Sequence, residues 1–96
     1  MFSKNSILRL NKDILQRFEH NLNDGTIILY NVKTRKIWFG NYSSYDLIKL
    51  LDGKKNLDCI YSVFKKQYEG YTSEEIVNSV NTIFEELLEK NFLETV

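Results

Sequence analysis

Up to Gly40 the apolar residues fall in short alternating or β-branched runs; from Ser43 onward they recur at helical spacing. Ile14 to Leu22 alternates imperfectly and predicts a strand, Asn23-Asp24-Gly25 a turn, and Thr26 to Val32 (TIILYNV) the second strand of a hairpin. Lys33-Thr34-Arg35 is a polar turn leading into a third strand, Lys36-Ile37-Trp38-Phe39. Ser43 and Asp46 stand at capping-box spacing, with Tyr42 and Leu47 placed as a hydrophobic staple, which predicts a helix over about Ser44 to Leu51. Leu57, Ile60, Tyr61, Phe64 and Tyr68 then form a stripe at i, i+3, i+4, i+7 and i+11, with Gly70 as its left-handed cap. Thr72 with Glu75 repeats the capping box and Tyr71 with Ile76 the staple. The third helix continues through Val77, Val80, Ile83, Phe84, Leu87 and Leu88.

The apolar positions of this third helix spread over roughly 140°, wider than the seam of a two-helix contact. The simpler account is packing on both the sheet and the other helices. The alternative is that one edge of the sector faces a ligand.

Composition narrows the picture. At 96 residues with 43% hydrophobic and 14% aromatic content, the chain supports one small domain with its own core. Residues 1–12 are a candidate flexible N-terminal arm. Thirteen basic and thirteen acidic residues give zero formal net charge, so there is no global attraction toward nucleic acid or an anionic membrane. The N-terminal stretch lacks the apolar core of a signal peptide, and no run reaches membrane-spanning length. With Cys59 as its only cysteine, the chain can form no internal disulfide. A cytoplasmic protein is expected.

Catalytic chemistry finds little support. His20 is the only histidine and has no partner at metal-ligand spacing, so it is read as a strand-surface residue. Glu74-Glu75 and Glu85-Glu86 belong to the charged outer face of a helix. Cys59 has no nearby histidine and points away from the apolar stripe. The four glycines are scattered singly and form no phosphate loop. Neither enzymatic activity nor a cofactor is expected.

Three strands followed by three helices outline an α+β, winged-helix-like domain with a three-stranded antiparallel sheet. From Ile28 to Leu93 the chain resembles the PqqD-like family, the RiPP recognition elements that bind leader segments of ribosomally made precursor peptides. The residues that carry the likeness are Ile28-Leu29-Tyr30-Asn31, Trp38-Phe39-Gly40-Asn41, Leu50-Leu51-Asp52-Gly53, Leu57, Ile60 and the closing Phe92-Leu93. Leu-Leu-Asp-Gly is the most specific of these. The sequence departs from the pattern at Asn91, where many relatives carry glycine.

The resemblance implies a single peptide-binding domain over residues 1–96. Its third strand would pair with an extended leader peptide whose side chains enter a cleft beside the third helix, for presentation to a separate maturase, commonly a radical S-adenosylmethionine enzyme. Strand addition suits an edge that offers free N–H and C=O groups. The candidate peptide-binding residues are Thr34, Arg35, Lys36, Ile37, Trp38 and Phe39, with Val80, Ile83, Phe84 and Leu87 on the third helix. By alternation, either Trp38 or the Ile37/Phe39 pair faces inward. Lys33, Arg35 and Lys36 would attract acidic leader residues and tune the on-rate. The alternatives are a winged-helix DNA-binding regulator and a protein-docking adaptor. The first is disfavoured because Lys65 and Lys66 on the second helix are offset by Asp58 and Glu69.

Overall fold

A computed structural model of the chain describes residues 3–96 and divides them into eight elements. Strands β1 (Leu8–Leu10), β2 (Ile14–Glu19), β3 (Thr26–Asn31) and β4 (Ile37–Gly40) come first. Helices α1 (Tyr42–Lys49), α2 (Leu57–Gln67) and α3 (Ser73–Glu89) follow, and β5 (Leu93–Thr95) closes the chain. The architecture is α+β: β2, β3 and β4 form an antiparallel sheet in that order, and three helices follow it.

The N-terminal arm expected over residues 1–12 is corrected in part. Leu8–Leu10 pairs antiparallel with Leu93–Thr95 in a second, two-stranded sheet, and the Leu8 side chain is buried. Upstream of it, the carbonyls of Lys4 and Ser6 accept hydrogen bonds from the N–H groups of Asp58 and Leu57, at 3.1 and 2.9 Å. These donors open α2 and have no partner within the helix, so the segment is tied down by what the helix leaves unsatisfied. Residues 1 and 2 of that arm lie outside the described residues.

The β2–β3 hairpin reverses through Asn23, Asp24 and Gly25, all at positive φ, and β2 ends at Glu19 rather than Leu22. Gly25 is required there: at φ +118°, an added Cβ would lie 2.8 Å from Tyr42 and 3.0 Å from Phe18. The β3–β4 turn is organised by Asn31, which is buried. Its Oδ1 accepts from the N–H groups of Lys33 and Thr34, and its Nδ2 donates to the Asn91 carbonyl at 3.0 Å. One side chain thus holds the turn and fastens it to the end of α3.

The helix boundaries follow their caps. Thr72 and Glu75 form the reciprocal capping box that opens α3. The start of α1 is corrected from Ser43 to Asn41, whose Oδ1 accepts from the Ser44 N–H and from the hydroxyls of Ser43 and Ser44. Gly70 is not a left-handed cap; α2 stops at Gln67, with Tyr68 as its C-cap. At the end of α3, Asn91 takes φ +65°, its N–H reaches the Leu88 carbonyl and the Phe92 N–H reaches that of Leu87. This is a Schellman closure, and asparagine tolerates the left-handed position that glycine usually fills. The core joins Leu8, Ile27, Leu29 and Trp38 from the strands to Leu47, Leu57, Ile60, Phe64, Ile76, Val80, Phe84 and Leu87 from the helices.

Candidate functional site

Which way β4 faces is decided by its register. Trp38 lies opposite Leu29, and Gly40 opposite Ile27, both core residues. Trp38 is 8% exposed, whereas Ile37 and Phe39 are 55% and 61% exposed. Trp38 therefore faces inward, and of the two arrangements open to alternation only this one holds. Gly40 makes room for it: a Cβ on Gly40 would lie 2.6 Å from the Trp38 ring and 2.8 Å from the Ser44 Cβ. The indole needs glycine two residues on, on the same face of the strand.

The hydrogen-bond ladder also fixes which backbone groups are free. The Asn31 N–H donates to the Lys36 carbonyl at 3.0 Å, so Asn31 and Lys36 form a bonded pair, and bonded pairs alternate along an antiparallel ladder. The next is Leu29 with Trp38. Ile37 and Phe39 consequently turn their N–H and C=O groups to the outer edge of β4, where no strand among the described residues pairs with them.

Helix α3 runs alongside this edge in the opposite direction. Its C-terminal end is tied to the β3–β4 turn through Asn31 and Asn91. In its last turn, Glu86 sits beside the Trp38 indole. The Glu86 carboxyl is held below its ordinary range mainly by the hydrogen bond from Lys90, at 3.0 Å, and to a smaller extent by that indole. Nearer its start, Ser79 and Ile83 share a depression with Ser43 at the opening of α1. Ser79, Ile83, Glu86 and Lys90 are spaced i, i+4, i+7 and i+11, which places them on one stripe of the helix.

This arrangement corrects part of the expected site. Val80, Phe84 and Leu87 are fully buried, because they occupy the centre of the wide apolar sector and belong to the core that joins the helices to the strands. The Trp38 side chain is also core. Ile83, at the sector's flank, is half-buried and lines two shallow depressions. Thr34, Arg35, Lys36, Ile37 and Phe39 are exposed. Sequence reasoning missed Ser79, Glu86 and Lys90, whose helical spacing from Ile83 was the available signal.

Among the described residues, Lys33, Arg35 and Lys36 make no ion pair, so the turn is locally cationic. Arg35 is held at φ +64°. No group of three or more His, Cys, Asp or Glu among the described residues could hold a metal ion, and no helix there is long and apolar enough to cross a membrane. Cys59 is exposed, and its N–H donates to the α2 cap, Asn56. Compared with protein-family models, curated proteins and solved structures, the chain gives no match.

Proposed function

We propose that this chain is a winged-helix-like RiPP recognition element, without catalytic activity or cofactor. It would capture the leader segment of a precursor peptide in the cytoplasm and present it to a separate maturase of the radical S-adenosylmethionine class. The observation that carries the reading is the free edge of β4, where Ile37 and Phe39 offer unpaired backbone groups beside a helix. An extended peptide adds to such an edge through main-chain hydrogen bonds and is selected by the side chains around it. The resemblance through Trp38-Phe39-Gly40-Asn41 and Leu50-Leu51-Asp52-Gly53 supports the same reading. Asp52 organises the turn after α1 by accepting from the N–H groups of Lys54 and Lys55.

The test is calorimetric titration of a short peptide encoded in a neighbouring open reading frame into the wild-type protein and into Ile37→Pro. Proline removes the outward N–H of Ile37 without breaking a bond of the β3–β4 ladder. Binding by the wild type and none by a folded Ile37→Pro protein is expected. Equal binding by both would sink strand addition at β4.

A further inference from the structure

Among the described residues the buried polar side chains are Thr26, Asn31 and Ser44. Thr26 and Ser44 bond to Leu22 and Asn41, a few positions back in the chain, whereas Asn31 reaches Asn91, 60 residues away. Every residue of the β3–β4 turn is also bonded to Asn31. Its Oδ1 accepts from the N–H groups of Lys33 and Thr34 at 3.0 and 3.1 Å, its carbonyl accepts from Arg35 at 2.7 Å, and its N–H donates to the Lys36 carbonyl. The positive φ of Arg35 belongs to this closure. Burying an amide is unfavourable unless its bonds are made, and a fully bonded one specifies a single arrangement of the elements it joins.

Resting on the function proposed above, we infer that Asn31 is a positioning residue for peptide capture: its bond to the Asn91 carbonyl fixes the start of β4 against the end of α3 and so holds the cleft between them at one width. β4 begins directly beyond the turn that Asn31 closes, and α3 ends just before Asn91. The amide therefore sits where the two walls of the cleft meet. Being 2% exposed, it acts on a guest only through those walls. The other polar contact between them, Glu86 beside the Trp38 indole, engages a carboxylate that Lys90 also holds, so it fixes the spacing less firmly. A guest entering a preformed cleft does not have to order the strand and the helix against each other, and the affinity is higher by that saving.

Asn31→Asp tests this, because it keeps the oxygen that accepts from Lys33 and Thr34 but loses the NH2 group that reaches Asn91. Should that variant fail to fold, Asn31→Ser replaces it, with a hydroxyl that can accept from the turn but is too short to reach Asn91. Ile60→Val, at a buried site on α2, is the control for a general loss of stability. The first measurement needs no peptide. Nitroxide labels on Lys36→Cys and Glu89→Cys, both exposed positions, in a Cys59→Ser background report the distance between the turn and α3 by pulsed dipolar spectroscopy. A narrow distribution is expected with Asn31 and in Ile60→Val, and a broad one in Asn31→Asp. In calorimetry, the encoded precursor peptide should bind Asn31→Asp about tenfold more weakly than the wild type, as for the loss of one buried hydrogen bond, and Ile60→Val unchanged. A narrow distribution in Asn31→Asp would overturn the inference. So would a broad one with unaltered affinity, or an equal loss of affinity in Ile60→Val. In each of those cases the wild type still binds and the proposed function stands. If the wild type binds no encoded precursor, the function fails and this inference fails with it.

Discussion

β2 and β4 both rim the same sheet, and they are protected very differently. By the bonded pairing of Val32 with Asp13, Gln16 and Phe18 turn their backbone groups to the free edge of β2, as Ile37 and Phe39 do on β4. On β2, however, Arg17 and Glu19 stand on the strand itself and pair with each other, while Phe18 is pinned inward by stacking on Tyr45 at 3.9 Å. Charges on an edge strand discourage a guest because docking would strip them of water. β4, Ile-Trp-Phe-Gly, carries no charge at all. One edge is guarded and the other is left open, which is the asymmetry expected if only β4 receives a partner.

Matched prolines should break the comparison most sharply. Gln16→Pro removes an outward N–H from β2 as Ile37→Pro does from β4. We expect precursor binding to be lost only in Ile37→Pro, with circular dichroism unchanged in both. Loss in Gln16→Pro as well would mean that the two edges are not functionally distinct.

The wall beside β4 gives the next largest effect. Phe84→Ala, at a fully buried site, should cost about 3–5 kcal/mol of stability in urea unfolding. Ile83→Ala, on the flank facing the cleft, should cost less than about 2 kcal/mol, the lower end for a fully buried site. Yet it should weaken peptide binding, because Ile83 shares one depression with Ser79 and with Ser43, just beyond the end of β4. If Ile83→Ala binds as the wild type does, α3 does not wall the site.

Transplanting the guard is a smaller perturbation. Phe39→Lys puts a charge at the end of an apolar row and should reduce affinity several-fold without unfolding the protein, since Phe39 is exposed. Replacing Arg17 and Glu19 together by Val should instead make β2 associate with itself as concentration rises, as seen by sedimentation.

Much of this was legible in the sequence, for local reasons. Thr72 and Glu75 announce α3 because a capping box is a contact across three residues, and Asn23-Asp24-Gly25 announces a turn because few other residues accept positive φ. What depended on distant partners was not legible. β1 and β5 are three residues each, too short to show a period, and are paired by residues far apart in the chain, such as Arg9 and Glu94. Alternation established that Trp38 and its neighbours face opposite ways but could not say which way. The answer lies in Leu29, across the strand. On α3 the apolar sector was evident, whereas the division between Phe84 in the core and Ile83 at the flank depends on where the sheet lies. At α1, Asn41 outcompeted Ser43 as the cap because one amide oxygen accepts from three groups at once.

The smallest effect belongs to the cationic turn. Lys36 is exposed and free of ion pairs among the described residues, so replacing it by Gln removes a charge without leaving a buried partner behind. A single exposed charge pair is worth only about 0–1 kcal/mol, and its influence is mostly on encounter. Lys36→Gln should therefore slow association of an acidic peptide by a few-fold in stopped-flow traces at low salt and leave dissociation nearly unchanged. The difference should fade once the Debye length falls to about 3 Å in 1 M salt. Arg17→Gln on the other edge should leave association unaltered, because Arg17 is engaged with Glu19 and lies away from the open strand. If both variants slow association equally, the peptide is drawn by the protein's overall field, and the turn beside β4 has no part in aligning it.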